Sequence, residues 1–120
     1  MTQMMSLTKY EHQVLPRLRD QLNQSESVED VKKFFVATVQ DFLSLATEGN
    51  VSADYDDISL SPGETPYYTL SSQLADHASI KALADSDLEA VLKRLAEQAS
   101  HRHAHLMKNN TKTNLKIKNH

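Results

Sequence analysis

The sequence predicts a mainly α-helical protein, an irregular bundle of four to five helices in a single domain. Three observations favour this fold class. Apolar residues recur at three- and four-residue intervals over long stretches. The chain has only two glycines and three prolines, which favours long uninterrupted elements over a turn-rich β-sandwich. Its 120 residues lie within the usual size of one domain. We expect this domain to cover residues 1–108, followed by a basic tail over residues 109–120.

The first helix is predicted close to the N-terminus. Thr8 and Glu11 fit a capping box, in which the hydroxyl and the carboxylate each accept a hydrogen bond from a backbone N–H at the helix start. Pro16 lacks a backbone donor and crowds the preceding turn, so we expect a kink or a break between His12 and Leu15. The apolar positions at helical spacing are Leu7, Tyr10, Val14, Leu18 and Leu22.

The second predicted helix extends from Ser27 to Glu48. Ser27 is a good N-cap residue, and the two acidic residues that follow Val28 suit the positive end of a helix. Gly49 and Asn50 supply the expected stop. The segment contains all three phenylalanines of the chain, so it should lie at the centre of the core.

A short β-hairpin is predicted within residues 58–70. Ile58 and Leu60 alternate with polar residues before a turn, and apolar side chains alternate again after it. Pro62 and Gly63 suit the two central positions of a type II turn.

One or two short helices are expected over residues 70–84, followed by a long last helix. Ser86 and Glu89 form a second capping-box pattern at its start. The helix is predicted to reach at least Ala99 and to continue to Lys108. Its apolar stripe consists of Leu88, Leu92, Leu95, Ala99 and Leu106.

The basic tail alternates Thr and aliphatic residues with Lys and Asn from Thr111 to Lys118. This period is typical of an edge strand with a lysine-rich exposed face. Such a strand could pair with the 58–70 hairpin, in the same chain or across a dimer. The alternative interpretation is a disordered basic tail, and the sequence leaves both open.

Charge is unevenly distributed along the chain. Residues 1–92 contain 6 Lys or Arg and 15 Asp or Glu, whereas residues 93–120 contain 7 Lys or Arg and a single acidic residue, Glu97. An acidic body with a basic end can be recognised by a protein partner or by a second copy of the chain. Alternatively, the tail folds back onto its own body.

Several kinds of catalytic and cofactor chemistry find no support in the sequence. The chain has no cysteine, which removes disulfides, thiolate metal sites and cysteine nucleophiles. Nucleophile elbows and glycine-rich phosphate loops are absent. We therefore expect a protein that is not an enzyme and that carries no cofactor.

His101 and His105 are the candidate metal ligands. On a helix they lie one turn apart on the same face and could share one Zn²⁺ or Ni²⁺ ion. A closed tetrahedral site needs two more ligands, and His103 points to another side. The alternative is a solvated polar face near the end of a helix, where positive charge is favoured.

The N-terminus shows no signal-peptide pattern, and no stretch is long and apolar enough for a membrane span. We expect a cytoplasmic protein without membrane contact.

The leading hypothesis is a protein-interaction or regulatory module, plausible as a homodimer, with Tyr67 and Tyr68 in a proline-flanked loop as contact residues. The alternative is a nucleic-acid-associated protein whose Lys112, Lys116 and Lys118 contact phosphates. Metal binding by the two histidines is the third hypothesis.

Overall fold

A computed structural model of the chain describes residues 6–118, with side chains described for residues 6–108. The predicted mainly α fold with a small hairpin is confirmed. A single 3-10 turn, Tyr55–Asp57, precedes the hairpin. The elements in chain order are α1 (Thr8–Gln24), α2 (Val28–Ala46), β1 (Ile58–Leu60), β2 (Tyr68–Leu70), α3 (Ser72–Ala75), α4 (Ala78–Lys81) and α5 (Leu88–Lys118).

Helix α1 does not begin with the predicted capping box. Its N-cap residue is Leu7, whose side chain makes no cap bond, and the Thr8 N–H donates a long 3.5 Å bond to the Ser6 hydroxyl. The Leu7 N–H instead donates a 2.8 Å hydrogen bond to Oδ1 of Asp87, at the start of α5. The Glu11 carboxylate is buried and accepts two 2.8 Å bonds from Arg94 of α5. The box is therefore wrong because a distant partner takes the carboxylate that the local pattern assigned to the cap.

Helix α1 continues through Pro16, so the predicted break between His12 and Leu15 is wrong. Proline removes the hydrogen bond that its nitrogen would donate to the carbonyl four residues earlier. That carbonyl belongs to His12, and both His12 and Pro16 are exposed. Water can therefore solvate the carbonyl, while the buried side of α1 keeps its packing.

Helix α2 is built as the sequence predicts. The Ser27 hydroxyl accepts a 3.1 Å hydrogen bond from the Asp30 N–H at the N-cap. The helix ends at Ala46, two residues before the predicted end. Gly49 then adopts a φ of +84°, which favours glycine, and its N–H donates to the Ser44 carbonyl at 2.8 Å.

The core lies between α1, α2 and α5. Phe35 and Phe42 of α2 are fully buried at its centre. Helices α1 and α5 run in the same direction, since Leu7 meets Asp87 at one end and Asn23 meets Arg102 at the other. The predicted stripe of α5 is confirmed, because all five of its residues are buried: Leu88, Leu92, Leu95, Ala99 and Leu106.

The predicted hairpin is confirmed. Strands β1 and β2 pair antiparallel, with Ile58 opposite Leu70 and Leu60 opposite Tyr68. The Glu64 N–H donates to the Ser61 carbonyl at 3.3 Å, which closes a turn around Pro62 and Gly63. Gly63 has a φ of +94°, as the third position of a type II turn requires.

The start of α5 differs from the predicted Ser86–Glu89 box. The Ser86 hydroxyl accepts a 3.1 Å bond from the Leu88 N–H, so Ser86 does satisfy a donor at the helix start. The reciprocal half is absent, because the Ser86 N–H donates to the Leu83 carbonyl at 2.9 Å and is not available to Glu89. The two short helices α3 and α4 precede this point, as expected.

Helix α5 crosses the predicted domain boundary at residue 108 and continues to Lys118. The strand predicted for the tail is therefore wrong, and the sheet of the described chain has two strands. Residues 88–120 contain neither glycine nor proline. An existing helix elongates residue by residue without a new nucleation step, whereas an edge strand needs a partner strand.

Candidate functional site

Helix α5 is much longer than the helices on which it packs. Its 31 residues correspond to about 46 Å, against about 26 Å for α1 with 17 residues and about 29 Å for α2 with 19. Leu106 is the last buried residue among the described side chains of α5. We call residues 107–118 the α5 arm.

The α5 arm is basic. It contains Lys108, Lys112, Lys116 and Lys118 and no acidic residue. Positions 108, 112 and 116 are four residues apart in a continuous helix, so they share one face of it. The side chains of the predicted contact residues Lys112, Lys116 and Lys118 lie outside the described residues. The helical backbone nevertheless replaces the expected strand edge by a helix, in which positions 112 and 116 share one face and position 118 lies off it.

The apolar stripe of α5 is interrupted at the start of the arm. The positions three, four and seven residues after Leu106 are polar: Asn109, Asn110 and Thr113. A coiled coil would need apolar residues at this spacing. The first half of the arm is therefore expected to contact a partner through charge and hydrogen bonds, whereas Leu115 and Ile117 add apolar residues near its end.

The opposite end of α5 is acidic. Asp85, Asp87 and Glu89 flank its first turn, and no lysine or arginine lies between Lys81 and Lys93. One of these carboxylates, that of Asp87, holds the N-terminus of α1. A single helix thus connects an acidic end and a basic end that lie about 30 Å apart, taken from residue 87 to residue 108.

An open groove of about 370 Å³ lies between the C-terminal turns of α1 and the middle of α5. Arg102 is fixed at its edge, because its Nη2 donates to the carbonyls of Asn23 at 3.3 Å and Ser25 at 3.0 Å. These carbonyls belong to the negative end of α1, which the guanidinium neutralises. The lining residues are Arg19, Leu22, Asn23, Gln98, His101, Arg102 and His105.

The structure brings His101 and His105 together in this groove, on the shared face that their spacing predicts. His103 lies on another side and faces α2. Burial lowers the pKa of His103, Lys32 lowers it further, and Glu29 acts in the opposite direction. Within the described chain, no three side chains of the metal-ligating types come together.

Tyr67 and Tyr68, the other predicted contact residues, are half-buried and pack against the core. Burial raises the pKa of Tyr68, and the nearby Glu89 carboxylate raises it further. Tyr68 lines a pocket of about 200 Å³ together with Leu88 and Glu89 at the start of α5. Among the described side chains, the large apolar residues that are exposed are Tyr55, at 52%, and Met107, at 50%.

Sequence patterns did not indicate the α1 side of the groove. Arg19 and Asn23 lie one turn apart on the exposed side of α1 and carry no motif of their own. Only the parallel packing of α1 and α5 places them opposite the histidines.

Comparison of the chain with protein families, with curated proteins and with solved structures finds no match. In the part of the chain that the structure describes, no helix is long and apolar enough to cross a membrane.

Proposed function

We propose that this chain is a non-catalytic protein-interaction module that associates with a second copy of itself through α5. In this arrangement the α5 arm of each copy contacts the acidic start of α5 in the other. One observation supports this proposal. Helix α5 carries opposite charges at its two ends, and it is much longer than α1 and α2, on which it packs.

An antiparallel pair satisfies both ends at once. Each basic arm then meets residues 85–89 of its partner, and the same surface is used twice, as in a closed two-fold dimer. Contacts between exposed charges are screened by salt, with a Debye length of about 10 Å at 0.1 M. We therefore expect association that weakens steeply as the ionic strength rises.

The same charges also suit the dipole of α5 itself, since acidic residues stabilise a helix N-terminus and lysines stabilise a C-terminus. Charge placement alone thus does not distinguish self-association from local helix stabilisation. The distinguishing quantity is the mass of the particle in solution.

Light scattering at low and high ionic strength tests the proposal. The expected result is a mass near twice the 13.5 kDa of the chain at low salt, falling towards one copy at about 0.5 M NaCl. The double variant Lys108→Gln/Lys112→Gln should shift this equilibrium towards the monomer. Its matched control, Lys32→Gln/Lys33→Gln, changes the net charge equally at exposed sites on α2 and should retain the dimer.

Two results would count against the proposal. A mass of one copy at every salt concentration would exclude self-association through charge. Equal loss of the dimer in both double variants would show that net charge, rather than the arm, controls the association.

The regular spacing of the lysines supports a second candidate function, contact with nucleic acid. Positions 108, 112 and 116 form a row on one face of α5 that could follow a phosphate backbone. A mobility shift that weakens with salt and disappears on deletion of residues 109–120 would favour this function. A mobility shift that survives the deletion, or the lack of any mobility shift at low salt, would count against nucleic-acid binding by the arm.

A further inference from the structure

The groove between α1 and α5 is lined on both sides by hydrogen-bond donors. Arg19 and Asn23 supply one side, while Gln98, His101 and Arg102 supply the other. No carboxylate lines it, although acidic residues outnumber basic ones in the whole chain. Glu97, the nearest acidic residue along α5, is not among the lining residues and makes a small contribution to the raised pKa of Arg94.

We propose that this groove binds a phosphate group, with Arg19, His101 and Arg102 as the principal contacts. Guanidinium groups present planar sets of donors that match phosphate oxygens, and imidazole and amide N–H groups add further donors. The carbonyls at the end of α1 would repel an anion, but they already accept bonds from Arg102.

Arg19 is the residue on which the proposal depends most directly. Arg17 pairs with Asp41 at 3.5 Å, Arg94 pairs with Glu11 at 2.8 Å, and Arg102 binds the α1 carbonyls. Among the described residues, the Arg19 side chain makes neither a hydrogen bond nor an ion pair with a protein group. It is exposed at the groove, so its charge is available to a ligand.

The composition of the groove also favours an anion over the divalent metal ion that the histidine spacing suggests. A metal site there would have two imidazoles and no carboxylate, with two guanidinium groups close by. Like charges oppose the binding of a cation, and Zn²⁺ usually takes four ligands.

This inference does not depend on self-association, because the groove lies within one chain. The phosphate could belong to a small molecule or to a nucleic-acid backbone, and the two sources present the same oxygens to the groove. They differ in whether binding extends beyond the groove to the α5 arm.

The test is an NMR titration of the full chain with inorganic phosphate and pyrophosphate at constant ionic strength, with NaCl as the reference. We expect saturable shifts of the backbone amides of Asn23, His101 and Arg102. Arg19→Gln should weaken binding about tenfold, the usual size of one charge-assisted contact. Arg17→Gln makes the same charge change on the same helix and should alter the affinity less than twofold.

Three outcomes would overturn the proposal. These are an absence of saturable shifts, shifts that Arg17→Gln reduces as much as Arg19→Gln, and shifts confined to residues outside the groove. A thermal shift with Zn²⁺ that vanishes in His101→Ala and exceeds that with pyrophosphate would also contradict it.

A parallel titration with a short single-stranded oligonucleotide distinguishes the two phosphate sources. If the groove takes a nucleic-acid phosphate, the oligonucleotide should bind more tightly than pyrophosphate, shift residues 108–118 as well, and weaken in Arg19→Gln. If it takes a small-molecule phosphate, pyrophosphate should bind at least as tightly, with shifts confined to the groove. Either pattern supports a phosphate site, whereas oligonucleotide binding that ignores Arg19→Gln would contradict it.

Discussion

The ion pair between Glu11 and Arg94 should be one of the most sensitive points of the fold. The Glu11 side chain is only 6% exposed, and its two oxygens accept 2.8 Å bonds from Nε and Nη2 of Arg94. The pair connects α1 to α5 across 83 positions of sequence. The hydrogen bond to Glu11 raises the pKa of Arg94, which favours the charged guanidinium.

Arg94→Gln should therefore leave a carboxylate buried without its counter-ion. Removal of one partner from a fully buried pair destabilises a protein by about 3–5 kcal/mol. Arg94 is 47% exposed, so water can enter and replace part of the lost interaction. We expect a loss of about 2–3 kcal/mol in the free energy of unfolding, measured by urea denaturation followed by circular dichroism.

Two further variants make this prediction specific. Arg17→Gln removes a 3.5 Å pair with Asp41 in which both side chains are more than half exposed, and it should cost about 0.5 kcal/mol or less. The double variant Glu11→Leu/Arg94→Met removes both charges and should recover most of the stability lost in Arg94→Gln. An Arg94→Gln loss no larger than that of Arg17→Gln would refute the reasoning, since the buried carboxylate would then not need its partner.

Three other predictions follow from single contacts. Asp87→Ala removes the acceptor of the 2.8 Å bond from the Leu7 N–H and should lower the free energy of unfolding by about 1 kcal/mol. Asp87→Asn keeps an acceptor and should lower it less, so an equal loss in the two variants would contradict this role. Phe35→Ala should cost about 3–5 kcal/mol, and Phe34→Ala, at a half-buried site one residue earlier, clearly less; similar losses in urea denaturation would exclude Phe35 as a core residue. Burial lowers the pKa of His103, so the unfolded chain binds a proton at this residue before the folded chain does as the pH falls below about 6.5. The free energy of unfolding should therefore decline from about pH 7 to about pH 5 more in the wild type than in His103→Gln, and parallel pH profiles would contradict this.

The elements predicted correctly are those whose signals are local. Ser27 caps α2 through a hydroxyl three residues from its donor, and Gly49 ends it through its own φ angle. The hairpin likewise follows from Pro62 and Gly63 and from the alternation around them. The stripe of α5 is predicted because regularly spaced apolar side chains need one continuous partner surface.

The predictions that are wrong concern positions where a group distant in sequence determines the structure, or where the sequence pattern is weak. The Thr8–Glu11 and Ser86–Glu89 patterns satisfy a local rule, yet the Glu11 carboxylate is bound by Arg94 and the Ser86 N–H by a preceding carbonyl. In the tail, alternation over eight mostly polar residues is weak support for a strand. Helix α5 is already established before residue 109, and no glycine or proline follows that would end it.

The groove shows a different limit of sequence reasoning. The pair His101 and His105 is visible as a spacing, and its placement on one face is confirmed. Its neighbours Arg19 and Asn23 come from a helix about 80 residues away in sequence, as the bond from Arg102 to the Asn23 carbonyl shows. Only the direction in which α1 packs on α5 determines that guanidinium groups, rather than carboxylates, surround the imidazoles.

Cross-linking between two copies tests the central proposal, antiparallel association through α5, most directly. The chain has no cysteine, so Ala90→Cys and Asn109→Cys each introduce a single thiol beside the charged ends and leave every charge in place. The two positions are about 29 Å apart along α5, too far for a short bifunctional maleimide within one chain. Mixed at low salt, the two variants should form the 90–109 cross-link in preference to 90–90 or 109–109, and about 0.5 M NaCl should abolish it. Random cross-links, or none at any ionic strength, would contradict the antiparallel dimer.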